Sequence, residues 1–264
     1  MKRKEISLTV LFLLLLTSSC LQGLLCIRGE GNFSQEYRNP GNFTGISNST
    51  SIDVIYKKAD TTGVLVEAEE NLLYYIVTEV NGNSLTIRTR QHSGCLFFNE
   101  KPLITVTSPL INNIISSGSG NMFVQELTGE NVDILSTGSG DINCESIEAN
   151  DFSVKLSGSG NINCNEISGL YSKTVITGSG DLSLNGICNN ADMTVTGSGS
   201  IYGITYMLAT ADITISGSGN IYTSISDRLT ASLTGSGDIY LRGDPEIHSN
   251  YTGSGRIIYY KIAQ

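Results

Sequence analysis

Apolar and polar residues alternate strictly over short stretches of the second half of the chain, and the same stretch returns about every 20 residues. Aligned on a recurrent Gly-Ser-Gly triplet, the position two before its first Gly holds Leu156, Ile176, Val195, Ile215, Leu233 and Tyr251. The position four before holds Ile134, Val154, Thr174, Met193, Ile213 and Ala231. Polar residues interleave them: Asp133, Ser153, Lys173, Asp192 and Asp212 at five before, then Lys155, Thr194, Thr214 and Ser232 at three before. After the triplet the alternation resumes with Ile142, Ile162, Leu182, Ile201, Ile221, Ile239 and Ile257, and two residues later with Cys144, Cys164, Leu184 and Leu241. A third column, Leu127, Ile147, Ile167 and Ile187, lies nine residues after the first Gly. Period-2 alternation marks strands with one buried face, so each repeat predicts two clear strands and a weaker third.

The triplets begin at residues 118, 138, 158, 178, 197, 217, 235 and 253. A fixed interval of this length is the signature of a solenoid, one coil per repeat. No window carries a helical period, which excludes leucine-rich and ankyrin arrays. Because parallel crossovers are right-handed, the expected fold is all-β: a right-handed single-stranded parallel β-helix with about 20 residues per coil. Eight turns at the strand spacing of about 4.8 Å give a rod on the order of 35–40 Å long.

Gly-Ser-Gly reads as a corner device, because Gly tolerates positive φ and close backbone approach. The Ser hydroxyl is placed to bond nearby backbone or the Ser of the next coil. A phosphate loop needs a following helix, and a calcium roll needs acidic ligands in every coil. Here the following residue is Asn121, Asp141, Asn161, Asp181, Ser200, Asn220, Asp238 or Arg256, too uneven for a calcium roll. Asp141, Asp181 and Asp238 therefore read as solubilising edge charge. A nucleophilic Ser needs a base, and the two histidines, His92 and His248, lie outside the regular repeats. No catalytic residue, metal site or cofactor is implied.

The N-terminal half is less regular. Lys2, Arg3 and Lys4 precede the apolar run Leu8–Leu16, then Thr17-Ser18-Ser19-Cys20, the order of a secretory signal. Ending on Cys20, it resembles a bacterial lipobox, with Leu16 one place further upstream than usual, so Cys20 is the expected lipid attachment site. Ordinary cleavage and a retained anchor are the alternatives. The expected organisation is a signal over 1–19, a tether over 20–40, an N-terminal β segment over 41–108 acting as first coils or cap, and the repeat helix over 109–262. Within that β segment, Ile52–Tyr56 and Val64–Ala68 read as strands, and Glu69–Ile76 as one or two helical turns. Asn81-Gly82-Asn83 reads as a hairpin turn.

Composition narrows the partners. The chain carries 16 Lys+Arg and 25 Asp+Glu; Lys2, Arg3, Lys4 and Glu5 leave with residues 1–19, which takes these to 13 and 24, a net charge of −11. An acidic exported protein without basic clusters is a poor nucleic-acid binder. Of the cysteines, Cys144 and Cys164 share one coil position and read as a buried ladder or a disulfide, while Cys26, Cys95 and Cys188 have no assigned partner. Four glycosylation-type sequons, at Asn32, Asn42, Asn48 and Asn250, read as coincidences of an Asn/Ser/Thr-rich surface.

Phe43-Thr44-Gly45-Ile46, the Ile52–Ile55 strand, Glu67-Ala68-Glu69-Glu70-Asn71-Leu72-Leu73 and repeats of the Gly138–Ile142 type resemble the auto-transporter adhesin, head GIN domain family. The resemblance covers roughly residues 35–262. It implies a β-helical protein of the Bacteroidetes envelope, often a lipoprotein, and brings no catalytic residues with it. The expected function is a non-enzymatic, adhesin-like or scaffold protein of the cell envelope, held to the outer membrane by its N-terminal lipid. The alternative is a carbohydrate-binding or polysaccharide-processing β-helix. The outward position five after the first Gly holds Tyr202, Tyr222 and Tyr240, a candidate strip for a glycan or protein ligand. The last coil, Arg256–Ile262, has no evident cap and is a candidate for self-association.

Overall fold

A computed structural model describes residues 26–91 and 94–260. Cys20, the expected lipid attachment site, His92 and the residues from Lys261 onward lie outside them.

The N-terminal region contributes β1 (Ile27–Arg28), β2 (Phe33–Arg38), β3 (Gly45–Asn48), β4 (Asp53–Lys58) and β5 (Gly63–Glu69). A single helical turn, α1 (Glu70–Leu73), leads to β6 (Ile76–Asn81), β7 (Ser84–Thr89), β8 (Leu96–Phe97) and β9 (Leu103–Ser108). The repeats supply β10 (Asn113–Ser116), β11 (Met122–Ser136), β12 (Ile142–Leu156), β13 (Ile162–Ile176), β14 (Leu182–Val195), β15 (Ile201–Ile215) and β16 (Ile221–Leu233). The rod ends with β17 (Ile239–Arg242), β18 (Glu246–Tyr251) and β19 (Ile257–Tyr259).

The solenoid predicted from the repeats is present as a stack of parallel coils, about seven turns about 20 residues apart. Eight corners delimit seven intervals, hence one turn fewer than expected. Between corners each coil is hydrogen-bonded along its whole length, so β11 to β16 run as long, bent ribbons. In β11 the inward residues are Met122, Val124, Leu127, Val132, Ile134 and Ser136. Strict alternation breaks on either side of Leu127, where the chain turns; with the triplet corner this makes three sides, the middle one a single inward residue wide. That is the weaker third strand of the sequence. Neighbouring coils register at an offset of 20, as in Ile142↔Ile162 and Cys144↔Cys164, which stacks the aliphatic columns into one continuous core. Each fully buried Ile or Leu contributes about 1.5–3 kcal/mol relative to exposure.

Two residues leave their columns. The repeat after Gly178 is one residue shorter, and the register between β13 and β14 shifts from Cys164↔Leu184 to Ile167↔Gly186. Gly186, at φ 135, takes the inward place, and Ile187 is rotated outward to 56% exposure. Tyr251 closes its column at 46% exposure, because the rod is ending there.

The triplet corners work by close approach rather than by positive φ: none of their glycines lies in the left-handed region. A Cβ on either Gly of any triplet would overlap the carbonyl oxygen of the equivalent residue one coil earlier, for example Gly180 against Gly160 and Gly138 against Gly118. The same carbonyls accept backbone hydrogen bonds from the coil above, Ser139 N donating to Gly118 O at 3.0 Å and Ser159 N to Gly138 O at 3.1 Å. Beneath the first triplet the two glycine positions carry side chains instead: Gly118 and Gly120 stack on Thr50 and Ile52.

The N-terminal segment is both first coil and cap. β3 pairs in parallel with β10, and β4 with the start of β11, which makes Gly45–Lys58 the first rung. β7 and β9 extend those two sides in parallel, and the antiparallel strands β6, β5 and β2 then close the end. Asn81 and Ser84 bracket the predicted hairpin, with Gly82 at φ 60. The expected tether is corrected here: β1 and β2 are docked into the cap, and Cys26 forms a disulfide with Cys95. Asn48, one of the sequon asparagines, is fully buried, accepting from Thr50 N and donating to Ile52 O.

Candidate functional site

Position five of each coil faces outward on one flat side of the rod. Parallel pairing in register places Phe123, Asn143, Asn163, Ser183, Tyr202, Tyr222 and Tyr240 in one line along it. The three tyrosines predicted to align do so, with rings nearly parallel: centroids are 5.1 Å apart at 17° for Tyr202 and Tyr222, and 4.5 Å apart at 6° for Tyr222 and Tyr240. Each stacked pair contributes about 0.5–1.5 kcal/mol beyond the area it buries, so the strip also stiffens the sheet. Burial, then the neighbouring Tyr240, Tyr202 and Tyr260 hydroxyls and Asp238, push the Tyr222 phenol above its ordinary value. Tyr222 therefore presents a neutral hydroxyl at neutral pH.

A groove of about 500 Å³ lies beside the stack, lined by Asn165, Ser183, Asn185, Tyr202, Thr205 and Tyr260 among others. It exists because the coils change length here: between β15 and β16 the register jumps from Gly203↔Thr223 to Met207↔Ser224. The extra residues Ile204 and Thr205 stand out as one wall, while Tyr206 turns inward and is fully buried. Tyr260 and this wall were not singled out from the sequence; the one signal was the irregular spacing of the triplets.

A second cavity, also about 500 Å³, opens on another flank, where the displaced Ile187 meets Met207, 54% exposed, with Leu208 beneath and Arg242 at the rim.

The carboxylates expected as edge charge have a structural task. Asp181 Oδ1 accepts from Ser200 N at 2.7 Å, Asp141 Oδ1 from Asn161 N at 2.7 Å, and Asp238 Oδ1 from Arg256 N at 2.8 Å. With Asn121, Asn161, Ser200 and Asn220 doing the same, and Asp53 accepting from Asn121 N at the base, an unbroken ladder runs up the rod from the first coil to Arg256. The series is uneven in charge and uniform in offering one oxygen at one place.

Cys144 and Cys164 form the buried ladder rather than a disulfide, and Cys188 is a third buried thiol. A hydrogen bond with Cys144, reinforced by burial, holds the Cys164 thiol well above the usual range, and all three thiols pack inside the coil. His248 lies beside Glu246, 3.2 Å away on the surface. Among the described residues no cluster of three His, Cys, Asp or Glu is arranged to hold a metal, and no helix is long and apolar enough to cross a membrane.

The family profile described as "Putative auto-transporter adhesin, head GIN domain" matches residues 42–245. The chain belongs to that family. Solved structures share this fold. A putative adhesin from Parabacteroides merdae is 23% identical with a TM-score of 0.84, covering 89% of this chain and 99% of its own. A protein from Parabacteroides distasonis, titled a putative lipid binding protein, is 27% identical with a TM-score of 0.82 over the same shares. A putative adhesin from Bacteroides fragilis is 20% identical with a TM-score of 0.69, over 89% of this chain and all of that one. No curated protein matches at a significant level. The head GIN assignment agrees with an extracellular or envelope location.

Proposed function

We propose that this head GIN domain is a non-enzymatic, adhesin-like protein of the cell envelope, tethered through a lipid on Cys20, whose tyrosine face binds a glycan. The observation that carries this reading is the in-register Tyr202-Tyr222-Tyr240 stack bordered by the amides of Asn165 and Asn185. Aromatic groups beside amides offer a sugar both an apolar surface and hydrogen bonds. The Cys26–Cys95 disulfide supports export, since such bonds persist in oxidising compartments. The test is a glycan array with the full chain and with Tyr202, Tyr222 and Tyr240 all replaced by Ser. Binding lost in the triple variant at unchanged fold supports the proposal; binding retained refutes the role of the face. Metabolic labelling with a palmitate analogue, lost in Cys20→Ala, tests the tether.

One observation favours a second reading. The cavity of Ile187, Met207, Leu208 and Arg242 joins apolar surface to a cation, as an anionic amphiphile requires, and one structural relative is titled a putative lipid binding protein. Displacement of a fluorescent fatty acid that survives Met207→Glu would remove it.

A further inference from the structure

Mutual stacking consumes most of the aromatic surface of the strip. Both faces of Tyr222 are covered, by Tyr202 and by Tyr240. Tyr202 has Tyr222 on one face only. Its register partner on the other side is Ser183, whose side chain ends at one hydroxyl. The stack therefore stops at an open ring face, and Tyr202 is 45% exposed. The groove begins at this place, with Ser183 as part of its floor and Asn165, Asn185 and Thr205 beside it.

The amides there differ from those of the corner ladder and of position five. Asn121, Asn161 and Asn220 are held in the corner ladder, and Asn163 donates to Asn143 Oδ1 at 2.9 Å. Asn165 and Asn185 make no side-chain hydrogen bond among the described residues, and neither do Ser183 and Thr205. Four unengaged polar groups thus surround a gap one rung deep, bounded on one side by an aromatic plane. A rung is about 4.8 Å, within the stacking range of about 4.5–7 Å between ring centroids.

Resting on the glycan reading above, we propose that the tyrosine face is not a continuous strip but a platform for a single ring. One pyranose stacks on the open face of Tyr202 over Ser183, continuing the aromatic column, and its hydroxyls bond Asn165, Asn185 and Thr205. Tyr222, which shares the groove's lining, holds Tyr202 in place, and Tyr240 lies outside the groove. A ring bearing hydroxyls on its rim suits the gap, since an aromatic side chain of a protein partner would leave the surrounding amides unmatched.

The discriminating substitution is Ser183→Tyr, which extends the stack by one ring and fills the gap. The full chain in detergent is presented to immobilised oligosaccharides of glucose, galactose and N-acetylglucosamine, alongside Tyr202→Ser, Tyr240→Ser and the surface pair Asn165→Ala with Asn185→Ala. Thermal melts confirm folding. We expect Ser183→Tyr and Tyr202→Ser each to lower bound signal at least tenfold, the Asn pair to lower it several-fold, and Tyr240→Ser to stay within twofold. Stronger binding by Ser183→Tyr, or equal losses in Tyr240→Ser and Tyr202→Ser, overturns the single-ring site while leaving the glycan face standing. Should Ser183→Tyr fail to fold, unchanged binding by the Asn pair overturns it instead. If the unmodified chain retains none of the oligosaccharides, the glycan reading and the subsite fall together.

Discussion

Replacing Asp181 separates two physical roles that a surface carboxylate plays. Its Oδ1 accepts the backbone N–H of Ser200 at 2.7 Å, and Ser200 is itself buried, at 8% exposure. Asp181→Ala removes the acceptor and leaves that N–H poorly placed to find water. An orphaned donor of this kind costs about 1–3 kcal/mol. For a domain of this size each kcal/mol moves the melting temperature by about 2–4 °C, so a central value near 2 kcal/mol lowers it by about 4–8 °C. Asp181→Asn removes the same charge and keeps an oxygen at the same place, as Asn161 and Asn220 already do one and two coils away. Its expected shift is under about 2 °C on the same scale. Melting followed by circular dichroism on the wild-type chain and the two variants measures both. Equal shifts in the Asn and Ala variants would falsify the ladder and return Asp181 to the role of edge charge.

Three further outcomes follow from packing and charge. Thr174 sits in an aliphatic column at 0% exposure, and its hydroxyl finds no partner among the described residues; Thr174→Val should raise stability by about 1 kcal/mol, visible as a higher urea midpoint at unchanged slope. Gly180→Ala places a Cβ against the Gly160 carbonyl with no side chain able to yield, and should cost at least the roughly 1–3 kcal/mol typical of overpacking, whereas Gly82→Ala, which meets no neighbouring atom, should cost about 1 kcal/mol for its left-handed φ alone. Burial pushes the Glu69 carboxyl up, but hydrogen bonds from Asn99 Nδ2, Asn99 N and Gly31 N outweigh it and hold it below its ordinary 4.5. A depressed folded-state value contributes stability above the ordinary glutamate range and loses it as pH falls through the folded value. The protection factors of residues 29–38, taken against the intrinsic exchange rate at each pH, should therefore fall below about pH 4 and stay level in Glu69→Gln.

The coil, its corners and its aliphatic columns were legible because one residue type at one position repeats, and parallel register turns that repetition into contact. The Cys144–Cys164 ladder and the tyrosine line were legible for the same reason. What escaped does not repeat in residue type. The corner ladder mixes Asp, Asn and Ser, which share an acceptor oxygen but not a charge, and its base, Asp53, follows Thr50-Ser51-Ile52 instead of a triplet. The column spacing points Ile187 inward because a 19-residue interval leaves open which side absorbs the missing residue; the structure absorbs it at Gly186. The Cys26–Cys95 pairing joins positions 69 apart in sequence, a relation that no local pattern carries. The docking of β2 was hidden because its exposed face makes the segment polar, as a tether would be.

The glycines of every triplet lean on the coil before them, and the first corner, with nothing of its kind below, keeps the side chains of Thr50 and Ile52. The rod consequently has a built-in direction of growth. A duplicated repeat is accepted anywhere above the Thr50 corner, since each new unit brings its own bare underside, whereas no unit can be inserted below without steric conflict. Variation in rod length among related chains should accordingly arise by gain or loss of interior and distal units, over a base that stays constant.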